Sequence, residues 1–399
     1  MMRASRGQTL VRGKTCYGIV SKNPHPKSNG YIFLTRRLSS KDYNIIRRCR
    51  GIICENGGTT DHPSVICRIL GKPVILAEKA TRRFQEGEEI TLDTSINTIY
   101  RGRQDLETDT PNQLDRYLHR LVIKNKVKFH LSIVDERDIA RINKLSRGAA
   151  GVEQFFLREE LIWVKENIDP FSYLRSNGLD KTSVFLKGHL LKCLRQLNPG
   201  QSLNYRSLDL RSDQRVHTNG TLAKREKNPE LGLHGIRRLL KEPGLLAAEL
   251  KAVDALYRRG HNNLIFSLPF INDREEFQAV KKLASEICAQ QIKIGVFIET
   301  PAAVHELDYF LEDGAKFVYI GTKDLTQTIL ACDRSNKDVS HLFDPRKRPV
   351  QAAIRRVVNR SKSSGIPAAL FAMREDIPFY LRRFSGLKVL SMCCSEYPV

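Results

Sequence analysis

From residue 126 onward, short apolar runs alternate with longer stretches in which apolar positions recur at helical spacing. The apolar runs predict eight strands, at residues 128–134, 152–157, 202–208, 263–270, 293–299, 316–321, 366–372 and 387–392. Strands that alternate with helices form parallel sheets. Because a (β/α)8 barrel takes about 250 residues, the pattern predicts an α/β fold with a TIM-type barrel over residues 126–399.

The first hundred residues have shorter apolar runs, broken by glycine, proline and polar residues. They predict a small α/β domain over residues 1–103, in which a helix over 39–48 is capped by Ser39 or Ser40. The predicted strands of this domain are 31–35, 51–54, 74–76 and 89–92. Residues 104–125 begin with the polar run QDLETDTPNQLD and then become basic and helical. We interpret them as a linker, either a hinge between two domains or a rigid connection.

A histidine follows a pair of glycines in the first domain. Gly57 and Gly58 allow a tight turn after the apolar run 51–54, and His62 comes two threonines later, at the start of a predicted helix. A histidine beside free backbone N–H groups can carry a phosphoryl group, because the imidazole is a nucleophile and the amides bind phosphoryl oxygens. The alternative is a surface or core histidine without a chemical role.

Charged side chains follow several predicted barrel strands. The carboxyl ends of barrel strands carry the chemistry of this fold. Arg158 and Arg206 stand at two of these ends, and two arginines can clamp a carboxylate and a phosphate. Glu299 and Asp324 stand at two others, and two carboxylates can hold Mg²⁺. Each residue alone is compatible with a surface role, but four together favour a binding site.

The chain is strongly basic, with 66 Lys and Arg against 44 Asp and Glu, a formal charge of +22. Such a charge is compatible with nucleic-acid binding. The basic residues are spread along the chain in short runs without interleaved aromatic residues, which disfavours a nucleic-acid partner. We interpret the charge as a basic surface with anion-binding sites.

Other classes are disfavoured by the composition. No run approaches the roughly 18 apolar residues of a membrane span, and no charged and then apolar leader opens the chain. Nine cysteines are scattered without a CxxC pair, which favours reduced thiols. We therefore expect a cytoplasmic protein.

The segment GIICENGGTTDHPSVICRILGKPVILA (51–77) resembles the phosphohistidine segment of the phosphoenolpyruvate (PEP)-utilising enzymes. This family includes PEP synthase, pyruvate phosphate dikinase and Enzyme I of the sugar phosphotransferase system. Its pattern is roughly GGxTSH, so His62 keeps its place, while Asp61 replaces Ser or Cys and Pro63 replaces a small residue. The resemblance implies that residues 1–103 form a swivelling domain with His62 as the catalytic phosphohistidine.

The barrel half resembles the same family in five segments, in the family's order: FLREEL (156–161), YRSLDLRSD (205–213), NPELGLHGIR (228–237), GVFIETPAAV (295–304) and FVYIGTKDLTQTILACDR (317–334). The resemblance implies a Mg²⁺-dependent barrel that binds PEP or pyruvate. It implies that Glu299 and Asp324 bind the metal. It places the following residues at the substrate: Arg158, Arg206, His234, Gly321, Thr322, Lys323, Asp324 and Arg334.

Four departures from the family pattern bear on activity. Lys323 replaces an Asn beside the implied metal, and His234 replaces a phosphate-binding Arg. The family's proton-donating Cys is expected at about Ala368, and alanine cannot protonate an enolate carbon. The sequence stops at Val399, soon after the eighth strand, so the last barrel helix is expected to be missing.

The resemblance implies a phosphotransferase that moves a phosphoryl group between the phosphohistidine and pyruvate or PEP, as in PEP synthase or pyruvate phosphate dikinase. Two alternatives stay open: a degenerate regulatory or binding relative, and a phosphotransferase with a different acceptor. The family's phospho-donor module does not precede His62 in this sequence. Either a separate donor, an ATP-grasp protein or a phosphocarrier, phosphorylates His62, or phosphate passes only between PEP and a partner. A homodimer formed through the barrel is a further expectation.

Overall fold

A computed structural model describes most of the chain, in two compact units, the first containing residues 3–104 and the second residues 127–392. The predicted limits 1–103, 104–125 and 126–399 stay predictions, because residues 105–126 lie outside the described part. The described residues are 3–11, 13, 15–25, 27–39, 42–57, 62–104, 127–145, 152–212, 226–334, 336, 338–372, 376–384, 387 and 389–393.

The first unit is a mixed sheet of eight strands in the order β1-β8-β7-β3-β4-β5-β6-β2. Strands β3 to β6 are parallel to one another, and the outer strands pair antiparallel. The strands are β1 (Arg3–Arg6), β2 (Gln8–Val11), β3 (Cys16–Ser21), β4 (Ile32–Arg37), β5 (Gly51–Asn56), β6 (Val74–Leu76), β7 (Glu89–Asp93) and β8 (Thr98–Arg101). The described helices are α1 (Tyr43–Arg48), α2 (His62–Ile69) and α3 (Ala80–Arg83).

The four strands predicted in this unit are confirmed as β4, β5, β6 and β7. Their apolar residues form one buried core, which includes Ile32, Ile53 and Ile75. The predicted start of the first helix was wrong. The Ser39 N–H donates to the Asp42 carboxylate over 2.8 Å, and the Asp42 N–H donates to the Ser39 carbonyl over 3.0 Å. This turn uses Ser39 before the helix, which begins only at Tyr43.

The second unit is a closed barrel of eight parallel strands, as predicted from the apolar runs. Its strands are β9 (Lys128–Ile133), β10 (Val152–Arg158), β11 (Ser202–Arg206), β12 (Leu264–Leu268), β13 (Lys293–Ile298), β14 (Phe317–Ile320), β15 (Ala368–Phe371) and β16 (Val389–Cys393). The described helices are α4 (Glu136–Leu145), α5 (Glu159–Glu166), α6 (Pro170–Leu194), α7 (Gly235–Lys241), α8 (Gly244–Tyr257), α9 (Arg274–Ile287), α10 (Pro301–Glu312), α11 (Thr322–Leu330), α12 (Arg348–Ser363) and α13 (Ile377–Arg383).

Aromatic side chains fill the barrel interior. Phe156, Phe297, Phe317 and Tyr319 share one buried cluster, because alternate residues of each strand face inward. The rings of Phe297 and Tyr319 stack with their centroids 4.7 Å apart. This packing fills the barrel below its carboxyl end, so the side chains at the mouth lie on an apolar floor.

A polar network crosses this interior. The Tyr319 hydroxyl donates to Gln154 Oε1 over 2.5 Å and lies 2.8 Å from Nδ1 of buried His130. Burial, with a smaller effect of Lys128, lowers the pKa of His130 to about 3, so the imidazole is neutral. The network satisfies polar groups that burial removes from water.

None of the helices in the described ranges is both long and apolar enough to cross a membrane.

We expect Tyr319→Phe to destabilise the barrel unit. The change keeps the ring but removes the hydroxyl that His130 and Gln154 contact, and an unsatisfied buried polar group costs roughly 1–3 kcal/mol. The free energy of unfolding should fall by about this amount. Urea denaturation, followed by the fluorescence of Trp163, measures it, because this buried residue of the barrel unit is the only tryptophan.

Tyr309→Phe is the matched control. Tyr309 lies in α10 and is 43% exposed, so its loss of a hydroxyl should change the free energy of unfolding by less than about 0.5 kcal/mol. Equal stability of Tyr319→Phe and the wild type would show that the network contributes nothing.

Candidate active site at the barrel mouth

The carboxyl ends of the barrel strands carry the side chains that the sequence singled out. Arg158 and Arg206 are the last residues of β10 and β11. Glu299 directly follows β13, and Gly321 directly follows β14. Parallel strands place these residues at one end of the barrel, although their roles stay predictions.

Arg206 pairs with two carboxylates. Its Nη2 atom lies 2.5 Å from Glu160 Oε1 and 3.4 Å from Asp209 Oδ2. Burial alone lowers the pKa of Arg206, but Glu160 and Asp209 raise it above its ordinary value, so the guanidinium stays charged. The buried Nε atom of Arg206 has no hydrogen-bond partner within the described residues, which leaves a donor for a ligand.

Both arginines lie over aromatic rings at the floor of the mouth. The guanidinium of Arg158 is 5.6 Å from the ring centroid of Phe156 and 6.0 Å from that of Phe371. The guanidinium of Arg206 is 5.6 Å from the ring centroid of Phe297. A cation over a ring face is stabilised electrostatically, so the floor holds both guanidinium groups at the mouth.

Glu299 is buried next to Gly321. Its Oε2 atom accepts a hydrogen bond from the Phe270 N–H over 3.0 Å, and Phe270 adopts a left-handed conformation with φ of 52°. A Cβ atom on Gly321 would lie 2.6 Å from Glu299 Oε1, so only glycine leaves this oxygen its space. Burial raises the pKa of Glu299 to about 8, and the negative charge of Asp324 adds to the shift.

Asp324 lies in the first turn of α11 and has the opposite shift. Burial raises its pKa, but Arg334, whose Nη1 is 2.9 Å from Asp324 Oδ1, outweighs this effect and lowers the pKa below its ordinary value. Asp324 is therefore ionised, and its negative charge acts on the buried carboxyl of Glu299. Two neighbouring acids repel each other when both are charged.

This pair of carboxyl groups suits a magnesium ion. No group of three or more His, Cys, Asp or Glu side chains suited to a metal occurs in the described part of the chain. Mg²⁺ needs only one or two protein carboxylates, because it keeps waters and binds substrate phosphates. The space at Gly321 and the raised pKa of Glu299 fit an oxygen site that a dication would neutralise.

His234 connects two parts of the mouth. Its Nδ1 atom lies 2.7 Å from Asp209 Oδ1, and its Nε2 atom lies 3.0 Å from the Glu230 carbonyl oxygen. Burial lowers the pKa of His234, but Asp209 outweighs it, and the net pKa is raised. Both neighbours of the ring are acceptors, a carboxylate and a carbonyl oxygen, so the protonated ring can donate on both sides. The ring also packs on Phe270, with the two centroids 4.2 Å apart.

Sequence reasoning missed the ion pairs around Glu230. Arg211 pairs with its carboxylate, Gln327 Nε2 donates to its Oε2 over 2.7 Å, and Arg334 Nη2 lies 3.5 Å from the same oxygen. Glu230 lies in the segment NPELGLHGIR, which resembles the family, so a charged residue within this segment was the available clue in the sequence. The network holds Arg334 between Glu230 and Asp324.

Thr322 and Lys323 occupy the first turn of α11 beside Asp324. The hydroxyl of Thr322 donates to the Phe371 carbonyl over 2.7 Å, which ties α11 to the end of β15. Lys323 is half-buried. Their contact with a substrate stays a prediction.

The expected position of the missing proton donor was wrong. Ala368 is the first residue of β15 and pairs in register with Val318, so it lies toward the amino end of the strands. The carboxyl end of β15 carries Phe371. The apolar run 366–372 is longer than the strand, so the sequence did not show which of its residues lies at the mouth.

The phosphohistidine segment is described only in part. The backbone of His62 begins α2, and Gly57 follows β5. The side chain of His62 and residues 58–61 lie outside the described part. The role of His62 therefore stays a prediction.

Comparison with known proteins covers both units. Residues 113–396 match the family model of the PEP-binding domain of PEP-utilising enzymes, and residues 27–96 match that of their mobile domain. A probable phosphoenolpyruvate synthase of Archaeoglobus fulgidus is 28% identical over 379 residues, which cover 94% of this chain and 49% of that protein.

Two further relatives agree. Phosphoenolpyruvate synthase of Pyrococcus furiosus is 28% identical over 353 residues, covering 86% of this chain and 42% of that protein. A phosphoenolpyruvate-protein phosphotransferase of Cupriavidus necator is 25% identical over 364 residues, which cover 84% of this chain and 59% of that protein. The chain spans about half the length of the curated relatives it matches. With the PEP-binding model matched over well above half of its residues, the chain belongs to the family of PEP-utilising enzymes.

Proposed function

We propose that the chain is a phosphotransferase that moves a phosphoryl group between His62 and pyruvate or PEP. The observation that carries the proposal is the barrel mouth. There, the buried Nε of Arg206 has no hydrogen-bond partner among the described residues, and the charge of Arg206 acts on Glu299, one of the two acids Glu299 and Asp324. A guanidinium binds phosphate or carboxylate oxygens in a fork, and PEP carries both groups. The family match over both units supports the same reaction.

Each group of site residues has a different role in the proposed reaction. Arg158 and Arg206 bind and orient the phosphate and carboxylate of PEP over the aromatic floor. Glu299 and Asp324 would hold Mg²⁺, which would supply positive charge for phosphoryl and enolate oxygens. The imidazole of His62 attacks phosphorus, a P–N bond forms, the P–O bond of PEP breaks, and the enolate of pyruvate leaves. The reverse reaction uses the same groups.

The first unit brings His62 to the substrate in this proposal, as a swivelling domain. We propose a separate donor protein, of the ATP-grasp or phosphocarrier kind, or a protein partner that receives the group from His62.

We expect His62→Ala to abolish covalent labelling of the chain by PEP that carries a radioactive phosphate, because the imidazole that forms the P–N bond is gone. Wild-type protein with Mg²⁺ should give a label that is labile in acid and stable in base. Denaturing electrophoresis after acid or base treatment measures it.

His25→Ala is the matched control, since His25 is an exposed histidine of the same unit. It should label like the wild type. A label that survives in His62→Ala would end the proposal that His62 is the acceptor. Wild-type protein without a label, but with Mg²⁺-dependent binding of oxalate, would show a barrel that binds the ligand without transfer.

We expect Glu299→Gln to remove the Mg²⁺ response. Because the pKa of Glu299 is about 8, its carboxyl is largely neutral at neutral pH in the metal-free protein, and glutamine imitates that form without distorting the fold. Glutamine cannot supply the anionic oxygen that Mg²⁺ needs, so the metal should bind at least about tenfold more weakly, or ~1.4 kcal/mol. The rise of the thermal midpoint with added Mg²⁺ measures this.

Glu312→Gln is the matched control for charge, because Glu312 is exposed at the end of α10. It should respond to Mg²⁺ like the wild type, whereas Asp324→Asn should resemble Glu299→Gln. An unchanged response in both site variants would place the metal elsewhere.

Phe371 favours a second candidate, phosphoryl transfer from His62 to an oxygen acceptor. The carboxyl end of β15 carries this phenylalanine, which cannot give a proton to the methylene carbon of an enolate. Transfer to a hydroxyl or carboxylate oxygen needs no such donor.

Hydrogen exchange separates the two candidates. If pyruvate is the acceptor, the chain with Mg²⁺ should exchange the methyl protons of pyruvate in D₂O faster than the buffer alone, as followed by NMR. If the acceptor is an oxygen, the exchange should stay at the buffer rate while His62 still becomes labelled. Phe371→Cys, which introduces a thiol at the mouth, should increase the exchange only in the first case.

A further inference from the structure

Two glutamates lie buried together behind the arginines of the mouth. Glu159 is the first residue of α5, and Glu249 lies in α8. Both have an exposed fraction of 0%, and their carboxyl groups are hydrogen-bonded to each other. Two carboxyl groups can share a hydrogen bond only if one of them carries a proton.

Among the described residues, hydrogen-bond donors also contact the pair. Glu159 accepts from Trp163 Nε1 over 2.7 Å and from the Tyr205 hydroxyl over 2.5 Å. Glu249 accepts from the Ser207 hydroxyl and, over 3.3 Å, from the Leu208 N–H. The pair therefore connects α5, β11, the segment after β11 and α8.

The proton belongs to the pair as a whole, because two coupled carboxyl groups titrate together. Burial raises the pKa of both carboxyl groups, and the hydrogen bond from Glu249 to Glu159 lowers that of Glu159 while it raises that of Glu249. Two other titratable groups face the pair. Glu160 adds negative charge, and Tyr205, whose own pKa is raised well above its ordinary value by burial, stays a neutral donor.

The pair contacts the residues next to Arg158 and Arg206 at the ends of β10 and β11, on the side opposite to the guanidinium groups. Glu159 stands in sequence between Arg158 and Glu160, and Glu160 makes the 2.5 Å ion pair with Arg206. Tyr205 and Ser207 flank Arg206, and side chains that alternate along a strand point to opposite sides. A change at the pair therefore reaches both guanidinium groups through one or two backbone units.

We propose that Glu159 and Glu249 are positioning residues whose shared proton keeps Arg158 and Arg206 in place to bind the anionic ligand. Loss of that proton puts two negative charges into one buried space, which separates α8 from the end of β10 and moves the arginines. This inference rests on the proposed function in one respect: the anion that the arginines bind is taken to be PEP.

The pH dependence of PEP binding, measured by calorimetry with Mg²⁺ present, tests the inference. The proton is bound below the pKa of the pair and lost above it, so wild-type affinity should fall as the pH rises through that pKa. Glu249→Gln keeps a donor toward Glu159 and cannot ionise. Its affinity should match the wild type at neutral pH and fall less than that of the wild type at alkaline pH.

His234, Glu299 and the phosphate of PEP also titrate with pH, but they do so in both proteins. The difference between the two pH profiles therefore reports the pair alone. Glu249→Ala removes the donor and leaves Glu159 without it; PEP binding at neutral pH should weaken by about tenfold or more. If Glu249→Gln keeps wild-type PEP binding and Glu249→Ala does not, the hydrogen bond positions the arginines. A role in filling space alone does not require a donor at this position. Glu275→Gln, an exposed change in α9, should behave as wild type.

Identical pH profiles for the wild type and Glu249→Gln would overturn the inference and leave the proposed function intact. So would wild-type affinity in Glu249→Ala. Failure of the wild type to bind PEP at any pH would overturn both. If Glu249→Ala does not fold, the pH profile of PEP binding to Glu249→Gln alone decides the inference.

Discussion

The ion pair between Arg206 and Glu160 is the interaction on which the barrel mouth depends. Removing charges from water is costly. Deleting one partner of a buried ion pair lowers the free energy of unfolding by roughly 3–5 kcal/mol, because the other charge is left unpaired. Arg206 forms ion pairs with two carboxylates, Glu160 and Asp209, which offset this cost. Asp209 also pairs with His234. Ion pairs thus connect the ends of β10 and β11 with the segment before α7.

The aromatic floor explains why these charges act strongly. Phe156, Phe297 and Phe371 fill the space below the guanidinium groups and leave little room for water beneath them. In such surroundings an electrostatic interaction is stronger than in water, and an unmatched charge is more costly. Burial accordingly raises the pKa of Glu299 to about 8, although this carboxyl lies only one residue beyond the end of β13.

The sequence predicted the strands well because each barrel strand is a separate apolar run, buried on both sides by the interior cluster and the helices. It also placed Arg206 and Glu299 at strand ends. It failed where the outcome depends on register or on distant contacts. Phe371, rather than Ala368, ends β15, because the apolar run exceeds the strand. Glu159 and Glu249 meet across about 90 residues, and no local pattern shows such a contact.

In the proposed function, charge balance at the mouth would couple the binding of the metal to that of the substrate. Arg206, Arg211 and Arg334 each pair with a carboxylate of the protein, namely Glu160, Glu230 and Asp324. Paired arginines offer an anion less net attraction than free ones, because each carboxylate repels the incoming phosphate. A dication between Glu299 and Asp324 would cancel part of that repulsion and release Arg334 from its competition for Asp324. On this account PEP and Mg²⁺ favour each other's binding by the same factor, since coupling between two ligands is reciprocal.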